Sequence, residues 1–367
     1  MAHVVLAGGG SAGHTSPLIA TAQALVELDP QGTVSAVGTE RGLETTVVPA
    51  AGLELDLVPP VPLPRRPTPD LLKVPHRLAG AVGRAATVLR QRRADVVVGF
   101  GGYVAMPVYL AARRLRTPIV IHEQNAVPGL ANRVASRFTR DVFTSFPDTP
   151  LPGARYLGLP VRRQISRLDR AGARAGARAA FDLPADGPVL LVSGGSQGAR
   201  SINTALDGAR ERLLAAGVSV LHVLGRANMT PDVQPADHPG GARYRPVAYV
   251  EAMEQAYAAA DLMVGRSGAG TVVETAMVGL PGVFVPLPHG NGEQERNADP
   301  LVAAGGAVVV RDAELSADRL ADVATALLTD PGRLSAMSAA GRDLVPADAA
   351  ERLAEHVLAA AGPAGGR

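Results

Sequence analysis

The chain contains no cysteine, so disulfides and thiolate metal sites are excluded, which suits a reducing compartment. Aromatic residues make up only 3 % of it, leaving few platforms on which single-stranded bases could stack, so nucleic acid is disfavoured as a partner. No stretch approaches the ~18 consecutive apolar residues of a membrane-spanning helix. The opening MAHVVLAGGG has no basic segment, apolar run and cleavage site of a signal peptide, and Val4, Val5 and Leu6 read instead as a first strand. Lysine is nearly missing as well: Lys73 is the only one, so the positive charge is almost all arginine. With the abundant alanine, this points to a GC-rich genome.

What is present is core-forming material. The 367 residues are 47 % hydrophobic and 19 % charged, and a prior of ~150 residues per domain gives two domains. The expectation is a soluble cytoplasmic protein. Formal net charge is +2, from 36 basic and 34 acidic residues, but the distribution is uneven. Between Arg65 and Arg93 stand eight basic residues and one acid, Asp70. Such a local excess meets phosphate or an anionic membrane surface.

Strand-like apolar runs at 3–7, 33–37, 95–98, 118–121 and 141–144 alternate with helical patterns, the signature of a doubly wound parallel sheet. In the first helix Pro17 is expected in the opening turn, with Leu18, Ala22, Leu25 and Val26 on one face. The pattern stops near Pro160. It restarts with strands at 189–192, 219–224, 261–264, 282–285 and 307–310. The expected organisation is an N-terminal domain over 1–162, a C-terminal domain over 163–345, and a last helix within 346–367 that packs back on the first domain. Ligands of such sheets bind beyond the carboxyl ends of the strands, so a cleft between two Rossmann-like domains is expected.

Three glycine loops follow strands. Gly8-Gly9-Gly10-Ser11-Ala12-Gly13 satisfies G-x-G-x-x-G and opens a helix, where glycines let backbone approach a diphosphate. Alone it is weak: a dinucleotide enzyme wants an acid closing the second strand, and Glu40 comes late, on a loop. His14 follows directly, at a strand–helix turn where a general base belongs; a histidine bonding only nearby backbone is the plainer alternative. The other loops are 99–103, with Gly101, Gly102 and Tyr103, and 194–198. His122-Glu123-Gln124-Asn125 is a polar run after an apolar strand, which reads as a site. In the second half, Arg266-Ser267-Gly268-Ala269-Gly270-Thr271 opens a helix carrying Glu274. Its amides and the Thr271 hydroxyl suit a diphosphate. Glu274 suits a ribose diol or, alternatively, complements the helix dipole. Residues 290–294 offer amides for sugar hydroxyls. Together these describe a nucleotide-diphosphate-sugar site.

The stretches GGGSAGH (8–14), GFGGYVAMP (99–107), HEQNAVPGLANR (122–133), SGGSQGAR (193–200), RSGAGTVVETAMVGLPGVFVPLP (266–288) and NGEQERNA (291–298) resemble the MurG family. These are the UDP-N-acetylglucosamine:undecaprenyl-diphospho-muramoylpentapeptide N-acetylglucosaminyltransferases of peptidoglycan synthesis. The likeness spans both halves in order, and the arginine usage with TERGLET (39–45) looks actinobacterial. The resemblance implies the α/β GT-B fold and inverting transfer from UDP-N-acetylglucosamine to the 4-hydroxyl of the muramoyl sugar of lipid I, giving lipid II. It places Val250 and Met253 at the uracil and Glu274 on the ribose. Ser196, Arg162, Gly268, Ala269, Gly270 and Thr271 fall around the diphosphate, and Gln294, Asn125 and Ser11, Ala12 and Gly13 by the transferred sugar. His14 is the candidate base and Glu123 the second catalytic candidate, with Gly101, Gly102, Tyr103, His122 and Glu123 on the acceptor side. Gly270 and Glu293 depart from the family's usual residues, a difference that falls on side-chain packing against the donor.

No D-x-D triplet occurs, so no metal or other cofactor is required by sequence; helix amides and Arg162 can hold the developing charge. Lipid I carries a polyprenyl chain, so the cytoplasmic face of an anionic membrane is an expected partner, with proteins of cell-wall synthesis. Leu71, Leu72, Val74, Leu78, Val82 and Leu89 among Lys73, Arg77, Arg84 and Arg90 fit an interfacial patch, or else an ordinary helix packed on its own domain. Other UDP-sugar enzymes, a 2-epimerase or a natural-product glycosyltransferase, are the nearest alternatives; an NAD-dependent oxidoreductase rests on the first loop alone. A non-catalytic UDP-sugar sensor also stays open.

Overall fold

The computed structural model describes residues 1–40, 42–61, 73–289 and 291–362. The chain divides into two compact units, Met1–Arg162 with Ala347–Arg367, and Arg163–Pro346.

The first unit holds β1 (His3–Ala7), β2 (Thr33–Gly38), β3 (Glu54–Leu57), β4 (Val96–Gly99), β5 (Ile119–Glu123), β6 (Asp141–Thr144) and β7 (Arg155–Tyr156). They lie in the order β3-β2-β1-β4-β5-β6-β7, all parallel. The chain winds one way from β1 and the other way from β4, so the loops leaving these neighbours diverge and open a crevice at their carboxyl ends. Strands covered on both faces read as unbroken apolar runs. Val4 and Leu6 of β1 pack with Leu18 and Leu25 of helix Ala12–Leu28 and with Leu353 and Val357 of helix Ala349–Ala361. Val5 and Ala7 face the opposite layer, helices Val74–Gln91 and Gly102–Leu115, through Val88, Val104 and Val108. Leu353 and Val357 are fully buried, which contributes ~1.5–3 kcal/mol each and ties the chain's last helix to its first strand.

The second unit repeats the plan with β8 (Val189–Ser193), β9 (Ser219–Val223), β10 (Ala236–Asp237), β11 (Arg243–Val247), β12 (Leu262–Gly265), β13 (Gly282–Phe284) and β14 (Ala307–Val309). Their order is β10-β11-β9-β8-β12-β13-β14, and only the β10–β11 pair is antiparallel.

Several local expectations are corrected. The first helix begins at Ala12, inside the glycine loop, which puts Pro17 in its second turn. Val26 is exposed, because the buried stripe runs through Leu18, Ala22 and Leu25. Strand β5 continues through His122 and Glu123, so those two side chains are inside the sheet and not beyond its end. Arg178, in the Arg/Ala/Gly-rich helix Arg170–Ala180, is 1 % exposed. Its guanidinium is used up by the carbonyls of Ala259, Pro184, Ala185 and Gly187 and by the Asp261 carboxylate. A buried arginine is tolerable when its donors are satisfied in this way.

Candidate active site

In the first unit, β1, β4 and β5 are neighbours, so the segments that follow them border one crevice. After β1 the chain turns through Gly10, at φ +89°, and enters its helix at Ala12 with no side-chain cap. Ser11, Ala12 and Gly13 are exposed and His14 is half-buried. After β4 come Gly101 and Gly102, at φ +85° and +79°, conformations that side-chain-bearing residues rarely adopt. A β-carbon on Gly102 would stand 2.8 Å from the Gly9 carbonyl and 3.3 Å from the His14 ring. The absence of both side chains therefore lets His14 lie against the second loop. Tyr103, one step further, is half exposed.

Beneath this surface is a buried polar network. His14 Nδ1 lies 3.0 Å from Gln124 Oε1. Gln124 Nε2 donates to the His122 carbonyl at 2.7 Å and lies 3.2 Å from His122 Nδ1. His122 Nε2 donates to the Gly158 carbonyl at 2.9 Å. His122 is fully enclosed, and burial pushes its pKa down to about 4 against the opposing Gly158 hydrogen bond. Glu123 Oε1 accepts the Asn125 amide at 3.0 Å, and Oε2 accepts the Gly129 amide at 3.0 Å and Asn132 Nδ2 at 2.9 Å. Tyr109 donates to Asn132 Oδ1 at 2.6 Å. Two expected site residues thus have a different place. His122 and Glu123, at 0 % and 1 % exposure, have their polar atoms engaged by the protein and hold the 124–132 loop in shape.

Glu44 is a buried acid beside the first glycine loop that no motif marks. Fully buried, it receives the Gly10 amide at 2.8 Å on Oε2, and the amide and hydroxyl of Thr39, each at 2.9 Å, on Oε1. Burial alone would raise its pKa; the hydrogen bonds from Gly10 and Thr39 outweigh that and hold it below the usual carboxylate value. Its only sequence signal is an acid just after a glycine, Gly42, that leaves room for it.

In the second unit, the expected donor residues gather at the carboxyl ends of β11, β8, β12 and β13. Val250 is buried and Met253 opens helix Met253–Ala259. Ser196 is half-buried in the loop after β8. That loop is clamped from below: a β-carbon on Gly198 would strike the Leu224 carbonyl, and Asn228 Nδ2 donates to the carbonyls of Gln197 and Leu224. Gly268 caps helix Ala269–Met277 with extended backbone and no side-chain cap, and Thr271 lies in its first turn. Tyr257 donates to Glu274 Oε2 at 2.7 Å and so fixes that carboxylate. A β-carbon on Gly270 would lie 3.9 Å from Glu274 Oε1, an ordinary contact, so the small residue leaves that carboxylate's flank open. Gln294 Oε1 accepts the Leu287 amide at 3.0 Å, which orients its amide. Arg266 bonds Asp312, Ser201 and the carbonyls of Val285 and Pro286, tying these loops together. Arg162, half-buried, closes the first unit's main segment.

Two parallel α/β units, each presenting glycine-bounded loops at its strands' carboxyl ends, define a two-domain glycosyltransferase of GT-B type. The family 28 glycosyltransferase models match in order, the N-terminal domain over residues 4–144 and the C-terminal domain over 189–353, and the chain belongs to that family. It is 60 % identical, over 98 % of both chains, to a Cutibacterium acnes protein named UDP-N-acetylglucosamine–N-acetylmuramyl-(pentapeptide) pyrophosphoryl-undecaprenol N-acetylglucosamine transferase. A Nocardioides protein of the same name is 57 % identical over 97 % of both. Among solved structures, Acinetobacter baumannii MurG matches with a TM-score of 0.73 at 28 % identity, over 98 % of this chain and 100 % of that one.

Proposed function

We propose that the chain transfers N-acetylglucosamine from UDP-N-acetylglucosamine to the 4-hydroxyl of the muramoyl sugar of lipid I. The product is the β-1,4-linked disaccharide of lipid II. The observation that carries this is the seat of His14, a half-buried imidazole against the glycine backbone of Gly101 and Gly102 in a chain of family 28. A ring in that position can reach a sugar hydroxyl, whereas a dinucleotide would need the same space for its phosphates.

In this reading the C-terminal unit holds the nucleotide. The Val250 backbone meets uracil with Met253 beside it, and Glu274, fixed by Tyr257, takes the ribose diol. The uncapped first-turn amides of helix Ala269–Met277, with Gly268, Ala269, Gly270, Thr271, Ser196 and Arg162, take the diphosphate. Gln294, Asn125 and the 11–13 loop border the transferred sugar. The N-terminal unit holds the acceptor through Gly101, Gly102 and Tyr103.

The reaction is a single displacement. The acceptor oxygen bonds to C1 of the sugar from the face opposite UDP, and the C1–oxygen bond breaks with its electron pair left on the β-phosphate. The hydroxyl proton passes to His14 Nε2. Charge grows on the diphosphate, where amides, hydroxyls and Arg162 stabilise it, and this scheme calls on no divalent ion. His122 and Glu123 act here as supports for the loop and take no proton. The polyprenyl acceptor puts the work at the cytoplasmic face of the membrane; among the described residues no helix is long and apolar enough to cross it.

Labelled UDP-N-acetylglucosamine and a lipid I analogue test the reading. The expected result is transfer to the analogue, with turnover in His14→Ala down ~10²-fold or more and donor KM little changed. No transfer by the unaltered enzyme would overturn the function, and near-normal turnover in His14→Ala would remove the base.

A further inference from the structure

We propose that Gln124 is a positioning residue that fixes the tautomer of His14, leaving Nε2 as the bare nitrogen. Its consequence for turnover rests on His14 as the base; its consequence for the ring does not.

The assignment follows from donors and acceptors alone. The Gly158 and His122 carbonyls can only accept hydrogen bonds. His122 Nε2, 2.9 Å from the Gly158 oxygen, must therefore carry a hydrogen. Buried and neutral, His122 then has a bare Nδ1. Gln124's amide sits 2.7 Å from the His122 carbonyl oxygen and 3.2 Å from that bare Nδ1, so the group pointing there must be the NH2. The usual ambiguity of an amide's two ends is thereby removed. Gln124 Oε1 is left aimed at His14 Nδ1, 3.0 Å away, and since an amide oxygen cannot donate, Nδ1 carries the hydrogen. The lone pair of a neutral His14 then belongs to Nε2.

Three contacts in series run from the backbone carbonyl of residue 158 to the imidazole, and Gln124 is 1 % exposed, so water does not compete for it. Phe100 packs against the His122 ring, with centroids 6.1 Å apart, and keeps it in place. A carboxylate at position 124 would hold the same tautomer but would also stabilise the imidazolium and hold on to its proton. A neutral amide orients the ring without that penalty.

The test is nitrogen NMR on histidine-labelled full-length protein, with His14 assigned by the signal lost in His14→Gln. Long-range proton–nitrogen correlations distinguish a protonated from a bare ring nitrogen. The expected spectrum at neutral to mildly basic pH shows Nδ1 protonated and Nε2 bare. An Nε2-protonated ring in the unaltered protein would overturn the proposal with no variant needed. Gln124→Met keeps the volume and removes the acceptor; the Nδ1-protonated form should no longer dominate, with kcat down ~10-fold or more and donor KM unchanged. Gln124→Glu, which keeps an acceptor at His14 Nδ1, should restore protonation of Nδ1 but not kcat, because its carboxylate also stabilises the imidazolium. A Gln124→Met protein that keeps the Nδ1-protonated ring would also overturn it. If His14→Ala proves fully active while the tautomer is as stated, the base reading fails and the positioning of the ring stands.

Discussion

The carboxylate of Glu44 and the amide of Gly10, 34 residues apart in sequence, meet at 2.8 Å. That single bond joins the start of helix Glu44–Ala50 to the glycine loop after β1, and Thr39 binds the other oxygen of the same carboxylate. The loop beside His14 is therefore held from below by a buried charge. Small residues make room for it: β-carbons on Gly9, Gly38 and Gly42 would all run into the Glu44 side chain.

Removing that carboxylate should damage both the fold and the site. Glu44→Ala orphans the buried amide and hydroxyl of Thr39, each with a desolvation cost of ~1–3 kcal/mol, and frees the part-buried Gly10 amide, so a loss of about 3 kcal/mol in urea unfolding is expected. Turnover should fall with it, while UDP binding by calorimetry stays near normal, since the expected nucleotide residues are in the other unit. An unchanged midpoint with unchanged turnover would show that the clamp is not needed.

The glycines sort by the same geometry. Gly102→Ala forces a β-carbon to 2.8 Å from the Gly9 carbonyl at a φ of +79°. We expect ~1–3 kcal/mol of destabilisation and a marked loss of turnover. Gly80 is the control: it lies in helix Val74–Gln91 with open space around its missing β-carbon. Gly80→Ala should stabilise by ~0.5–1 kcal/mol and leave turnover alone. Thermal melts with an activity assay separate the two outcomes.

The sheets were legible because their central strands are continuous apolar runs: Val96–Gly99 and Val189–Ser193 announce burial on both faces. Four strands at or beside a sheet edge were not: Glu54–Leu57, Arg155–Tyr156, Ala236–Asp237 and Arg243–Val247 are short or polar and have no periodic signal. In the site, glycine loops and His14 stood out because small residues after strands have few other uses. The division of labour within His122-Glu123-Gln124-Asn125 did not. Where β5 ends decides which of the four side chains is sealed in the sheet, and strand ends depend on pairing with β6 that no local pattern encodes.

Two buried histidines set an acid limit on stability. Burial pushes His122 and His222 each down to about 4, from an unfolded value near 6.5. Between those values the unfolded chain binds protons that the folded chain does not, so stability rises with pH across the window and is lost as pH falls through it. Each histidine contributes up to about 3 kcal/mol of this, at a slope of ~1.4 kcal/mol per pH unit. Urea unfolding at pH 7.5, 6 and 5 should show progressive loss, and His222→Gln should flatten the slope in that window. A stability independent of pH from 7.5 to 5 would contradict the neutral, buried state of both rings.

The basic helix gives the last prediction. Of the apolar residues proposed for a membrane-facing patch, Leu89 is 2 % exposed and packs in the core of its own unit, so it cannot meet lipid. Leu71 and Leu72 lie outside the described residues. Val74, Leu78 and Val82 are half-buried at four-residue spacing on helix Val74–Gln91, and Lys73, Arg77, Arg84 and Arg90 are exposed around them. A face that is only partly apolar binds weakly on its own, so charge must supply most of the attraction, at ~1 kcal/mol per basic residue near an anionic surface. Flotation with phosphatidylglycerol vesicles should therefore recover the protein at low salt and lose it as salt rises, since the Debye length shortens to ~8 Å at physiological ionic strength. The double change Arg77→Ser with Arg84→Ser should cut recovery by ~10-fold or more, the factor that two such charges predict. Transfer to a short-chain, water-soluble acceptor should be unaffected by it. Equal recovery on neutral phosphatidylcholine vesicles would mean that this face is simply the solvated outside of the first unit.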